Sequence, residues 1–172
     1  MTYPAISIAN YFIEKAQEDN VTDLTLMKLI KLVYIAHGTY LAVKEKNLIK
    51  EKIQAWKFGP VIKSLYKEFG YYGMAPITET ASHIVESGEG QVSFRECNIP
   101  EDDVNTLSIL NQVWDHFKKY SGVQLSNWTH LAGSPWYKAW HHEGGSEKFN
   151  HIISNDLIKN YFKDVVIDDS QR

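Results

Sequence analysis

The chain has 172 residues, 44% of them hydrophobic and 23% charged, and carries a net charge of −3. That length suits one domain with a self-sufficient core, and five Trp, ten Tyr and seven Phe exclude disorder over most of it. A single cysteine, Cys97, excludes an intramolecular disulfide and a multi-cysteine zinc site, and points to a reducing compartment.

The start, Met1-Thr2-Tyr3-Pro4, has no basic region of the kind that opens a signal peptide. The most apolar stretch, Leu24 to Val43, is interrupted by Lys28, Lys31 and His37, so no membrane span is expected. These features predict a soluble cytoplasmic protein. The small net charge conceals an asymmetry. Between Lys44 and Lys67 seven lysines face only Glu45 and Glu51, a local +5, whereas between Glu79 and Asp103 seven acids face only Arg95, a local −6. Such stretches are solvated faces or a polarised surface that orients a partner.

In chain order, the spacing predicts a first helix over Pro4–Glu18, with Ile6, Ile8, Ala9, Phe12, Ile13 and Ala16 on one arc. A second helix, about Thr25–Val43, is apolar nearly all round, which belongs in the centre of a domain. Its one stripe that is not uniformly bulky and apolar carries Lys28, Lys31, Ile35, Gly38, Thr39 and Ala42, and the small residues there would admit a neighbouring backbone. A connector follows, with a short extended piece at Ile53–Trp56. Gly59 then interrupts the chain, and Pro60 suits the opening of a third helix to about Phe69. Gly70-Tyr71-Tyr72-Gly73 and Pro76 mark a loop. The one expected hairpin pairs Ile84 and Val85 with Val92 and Phe94 around Ser87-Gly88-Glu89-Gly90.

A fourth helix is predicted over about Asp102–Tyr120, ended by Ser121-Gly122, then a short one capped by Ser126. Ser134-Pro135 is a cap followed by a first-turn proline, leading Trp136–His142. Gly144-Gly145 breaks the chain, and Ser154 caps a last helix bearing Leu157, Ile158, Tyr161 and Phe162. The expected fold is mainly α: a compact single-domain helical bundle of about six to seven helices around a buried central helix (25–43), with a small β-hairpin near 81–96. The domain spans 1–165, and 166–172 reads as a frayed tail.

Motifs for familiar chemistry are missing. Gly88-Glu89-Gly90 lacks the third glycine and following helix of a dinucleotide loop, and no glycine-rich run ends in Gly-Lys-Ser/Thr. No Gly-x-Ser-x-Gly elbow occurs, and nothing pairs Cys97 with a particular histidine. His141-His142-Glu143 suggests a metal, but adjacent helical residues point about 100° apart, whereas ligands on one helix face stand three or four apart. A polar helix end is the simpler account. His37, on the apolar helix, reads as a hydrogen-bonded core histidine. The lysine-rich stretch with Trp56, Phe58, Tyr66, Tyr71 and Tyr72 could stack on nucleic acid, although the chain is acidic and shows no nucleic-acid-binding motif. Trp128, Trp136 and Trp140 suit a core or an aromatic protein-binding face.

Leu26-Met27-Lys28-Leu29-Ile30-Lys31-Leu32-Val33-Tyr34, then Ala55-Trp56-Lys57-Phe58-Gly59-Pro60-Val61, then Thr129-His130 and Pro135-Trp136, stand in that order. In this the chain resembles the Panacea domain family of SocA-like antitoxins and phage-associated GepA-like proteins, over Ile6 to Phe162. The matching positions are Lys28, Lys31, Tyr34, Trp56, Gly59, Pro60, Val61, Thr129, His130, Pro135 and Trp136; Gly133-Ser134 departs where the family often has a second proline. The resemblance implies an antitoxin of a two-gene operon, without enzymatic activity or cofactor, that neutralises a cognate toxin by direct binding. A protease is implied as a second partner where such a protein acts as an adaptor. A nucleic-acid-binding regulator working through Lys44–Lys67 is the alternative. The motif residues are expected to hold the scaffold, with Trp56 and Gly59-Pro60 locking the second helix to the third. Toxin choice is expected on the 71–103 segment or the tail. A fully buried Trp56 would cost about 3–5 kcal/mol on truncation to Ala.

Overall fold

The computed structural model describes residues 1–87 and 91–170, with side chains described outside 83–96 and 166–170. Helix α1 spans Ala5–Glu18, with Pro4 at its cap rather than in its first turn. Helix α2, Leu26–Lys44, is capped by the Thr25 hydroxyl, which accepts from the Lys28 N–H, and stops at Glu45 in the left-handed region. It packs against α1, α3 (Lys63–Phe69), α4 (Val104–Phe117), α5 (Gly122–Thr129) and α7 (Asn155–Ser170). The mainly α expectation and the central place of the second helix are both observed.

Helix α2 also bears on the expectation of no membrane span. Its 19 residues, with a mean hydropathy of 1.3, are long and apolar enough to cross a membrane, but 78% of that stretch is buried inside the fold. Apolar residues all round are what a core helix requires, and the same composition satisfies a membrane. The gap at Gly38 is filled by an aromatic ring, not a backbone: a Cβ there would stand 2.4 Å from the Phe162 ring. Phe162 in turn meets Tyr34 edge-on at 5.6 Å.

Strand β1, Ile53–Trp56, pairs antiparallel with β2, Gly59–Val61, through Trp56↔Gly59, Ala55↔Pro60 and Gln54↔Val61. Gly59-Pro60 therefore forms a strand, and α3 opens only at Lys63. Proline is tolerated in such a short edge strand. The other edge of β1 pairs with β5, Ile152–Ile153, giving the order β2-β1-β5. The expected hairpin is present as β3 (Ser82–Ser87) and β4 (Gln91–Glu96), with Ile84 opposite Phe94, but it is the second hairpin, not the sole one. Its Gly88-Glu89-Gly90 turn lies outside the described residues, as do the side chains of Val92 and Phe94.

Helix α4 is capped by Asp103, whose carboxylate accepts from the Thr106 N–H at 3.1 Å. Ser121 opens α5 instead of ending α4. Its hydroxyl accepts from Gln124 N–H while the Gln124 side chain accepts from the Ser121 N–H, a reciprocal capping box. Ser126 consequently lies inside α5. Ser134 caps α6 (Pro135–Tyr137), which runs on as a π turn over Lys138–His142. Helix α7 continues through Ser170, into the stretch read as a frayed tail; Gln171 and Arg172 lie outside the described residues.

Candidate functional site

The three motif blocks converge on the turn between β1 and β2. Lys57 and Phe58 occupy it, and Gly59 follows at φ +106°, in the left-handed region where a side chain is strained. Three carbonyls along this piece are held by side chains from elsewhere, and a fourth has a ring nitrogen nearby. The Trp136 indole donates to the Trp56 carbonyl at 2.7 Å, and the Ser126 hydroxyl donates to that of Phe58 at 3.0 Å. The Lys31 amine donates to the Pro60 carbonyl at 2.9 Å, while His130 Nε2 stands 3.4 Å from the Lys57 carbonyl.

A further layer fixes these donors. Thr129 donates to the Ser126 carbonyl at 2.7 Å, and Ser134 donates to the Thr129 carbonyl at 2.8 Å. The His130 ring packs on Trp136 with centroids 3.9 Å apart. Gly59 is needed for space as well as conformation, since a Cβ there would stand 2.9 Å from both Lys31 Nζ and Thr129 Oγ1. Turn geometry and long-range donors thus specify one another.

The turn forms one wall of a groove of about 680 Å³. The opposite walls are the first turns of α2 (Thr25, Leu26, Met27) and α5 (Ser121, Gly122, Val123), with Ile30 and Lys31 from α2 and Val61, Tyr66 and Met74 completing it. Trp56 also lines it. Its indole is half-buried, packs edge-on against Tyr66 at 5.1 Å and donates to Gln54 at 3.0 Å. Full burial of Trp56 is therefore corrected, because one face of the ring is a groove wall. Phe58 is 63% exposed, Val123 63% and Met74 94%, so large apolar side chains crowd this opening. Lys57 sits over the Phe58 ring at 5.6 Å from its centroid.

The two motif lysines differ in electrostatics. Lys28 is fully buried yet compensated, donating to Asp23 at 2.7 Å and to the Lys118 carbonyl at 2.6 Å. Lys31 is also buried, but it donates to the Pro60 carbonyl, and no carboxylate pairs with it among the described residues. Burial pulls its amine down to about 7. Among the described residues none of the seven lysines from Lys44 to Lys67 forms an ion pair either. The groove has one wall built from that basic stretch.

Of the remaining motif residues, Thr129, His130 and Trp136 lie behind the turn without lining the groove, Pro135 is buried in the first turn of α6, and Tyr34 lies in the core. Gly59 and Pro60 shape the turn. Sequence reasoning missed Ser126 as a clamp and Met74 and Val123 as walls. Phe58 carried the one available signal, a large aromatic beside a glycine in a turn. His37 is a core histidine held at both nitrogens: Ile49 N–H donates to Nδ1 at 3.4 Å, and Nε2 lies 3.1 Å from Asn155 Oδ1. His141 and His142 lie against Tyr137. Glu143 pairs with His151 at 2.8 Å, and no cluster of three metal-ligating groups occurs among the described residues.

Comparison with known proteins adds an independent finding. The profile of the family described as antitoxin SocA-like, Panacea domain, matches residues 29–137. Antitoxin SocA of Caulobacter vibrioides (strain NA1000 / CB15N) is 27% identical over 167 residues, covering 92% of this chain and 82% of the relative. No solved structure matches the chain.

Proposed function

Because this chain belongs to the SocA-like antitoxin family defined by the Panacea domain, we propose that it neutralises a protein toxin by binding it directly through the groove beside the β1–β2 turn. The family and the relative support an antitoxin role. The observation that carries the surface assignment is the clamped turn. Three carbonyls, those of Trp56, Phe58 and Pro60, are tied to side chains of the motif region, and the result is a rigid presentation of exposed Phe58 and Lys57. A surface fixed before contact loses little conformational entropy on binding. Aromatic side chains around a concave apolar floor are what protein-binding hot spots use.

Co-expression with the product of the adjacent open reading frame tests the reading. That product alone should arrest growth, and this protein should restore it. Phe58→Asp should lower rescue at least tenfold in plating efficiency while leaving the thermal midpoint unchanged, since Phe58 is 63% exposed. A neighbour that is not toxic, or is toxic and not rescued, removes the antitoxin reading. Rescue undiminished by Phe58→Asp moves the binding surface elsewhere. Toxin abundance during rescue separates occlusion, which leaves it constant, from delivery to a protease, which lowers it.

A further inference from the structure

We infer that the groove recognises an internal segment of the protein partner in which an aspartate or glutamate lies between large apolar side chains, its carboxylate seated on Lys31. The inference rests on the direct-binding reading above and specifies the partner's chemistry.

Its basis is the charge that the fold leaves uncompensated. Lys28 and Lys31 lie one turn apart on the same buried helix; the first has the Asp23 carboxylate, while among the described residues the second donates to a backbone carbonyl and meets no carboxylate. When protonated, the Lys31 amine has three hydrogens to donate, and one neutral acceptor leaves it under-served. Burying such a group costs free energy that a Leu or Met would not. A carboxylate entering the groove would supply the missing charge in a site shielded from water, where ion pairing is strongest.

The surroundings match an acid. Lys57 stands at the rim, and the first turns of α2 and α5 bring two helix N-termini to the wall. Asp23, the opposing charge at the groove, is already paired with Lys28. The apolar part follows from Leu26, Ile30, Val61 and the exposed Phe58, Met74 and Val123. A volume of about 680 Å³ accommodates several side chains. Apolar groups on both sides of the acid point to an internal segment, whereas a chain end offers them on one side only.

A peptide selection against the full-length protein tests this without knowledge of the toxin. Random 15-residue peptides are displayed in two formats, one flanked on both sides and one ending in a free carboxyl. The flanked format should enrich Asp or Glu within two residues of Leu, Ile, Phe or Trp. Lys31→Gln keeps an N–H for the Pro60 carbonyl but carries no charge; selection on it should retain the apolar positions and lose the acid. A synthetic peptide from the first selection should bind Lys31→Gln at least tenfold more weakly, and its Asp→Asn version should bind both proteins alike. Circular dichroism of Lys31→Gln checks that the fold persists, and Lys57→Gln provides a second charge variant at the rim should it not. Enrichment without an acid overturns the inference, as does enrichment only of free carboxyl ends or an acid requirement undisturbed in both charge variants. Growth rescue by the intact protein would survive each of these results, so the antitoxin reading stands or falls separately.

Discussion

The Trp136 indole and the Trp56 carbonyl, 80 residues apart in sequence, meet in a 2.7 Å hydrogen bond that anchors the start of the β1–β2 turn. Trp136 is itself buried and stacks on Trp140 with centroids 5.5 Å apart. Trp136→Phe keeps an aromatic ring but removes the donor, leaving the Trp56 carbonyl without this partner. The expected loss is about 1–3 kcal/mol from the lost bond. Chemical denaturation measures it, and Phe58→Ala, which removes an exposed ring, serves as the near-neutral comparison.

Lys31 makes stability depend on pH. Its folded value of about 7 lies below the ordinary lysine range, so between the two the unfolded chain binds a proton that the folded chain does not. Stability therefore rises with pH across this window, and below about 7 the burial penalty is fully present. Lys31→Met should be at least as stable as the parent at pH 6.5. The difference should move toward the parent by about 1.4 kcal/mol per pH unit between pH 7 and 9. Parallel urea titrations at pH 6.5, 8 and 9 check the slope; parallel stability curves would contradict it.

His37 acts in a more acidic window. Burial, partly opposed by the bond to Asn155, holds its ring below the usual histidine value. The Ile49 N–H donates to Nδ1, which leaves the proton on Nε2 facing Asn155. A depressed folded value gives stability that is complete above about pH 6.5 and declines as pH falls below it. His37→Gln can accept from Ile49 and donate to Asn155 without titrating. Its thermal midpoint should fall less than the parent's between pH 6.5 and 5, as scanning calorimetry would show.

Gly38 is occupied from the far side by Phe162, whose ring would lie 2.4 Å from any added Cβ. Gly38→Ala should destabilise by about 1–3 kcal/mol through overpacking, in spite of alanine's better helix propensity. Phe162→Leu is destabilising alone, yet the double variant should recover part of the loss. A double-mutant cycle by denaturant unfolding reads that coupling.

Legibility in the sequence followed the range of the forces involved. Helix α2 was readable because apolar residues all round keep a helix away from water, and in this fold that place is the core. The Ser134-Pro135 start was readable because cap and first turn are local. Ser121 was assigned to the wrong helix even though Ser121-x-x-Gln124 is a capping-box pattern, since Ser121-Gly122 also resembles a helix stop. Strand β2 was hidden for a different reason. Gly59 and Pro60 locally favour a break and a helix start, and their strand pairing is reinforced by Lys31, Ser126 and Trp136 from distant parts of the chain. The motif blocks could be recognised in line, but their shared purpose could not: the donors of Lys31, Ser126 and Trp136 meet on one turn only once the chain is folded. Lys31 likewise looked equivalent to Lys28 until Asp23 was seen to serve one of them alone.

The clamped turn has a consequence for turnover. Its residues belong to the middle of the chain, but Ser126, His130 and Trp136 reside beyond the long α4 helix. A single cut between α4 and α5 would put the groove residues up to Met74 on one fragment and the Ser126 and Trp136 anchors on the other. Retention of the turn would then depend on the packing of α5 against α2 and β2.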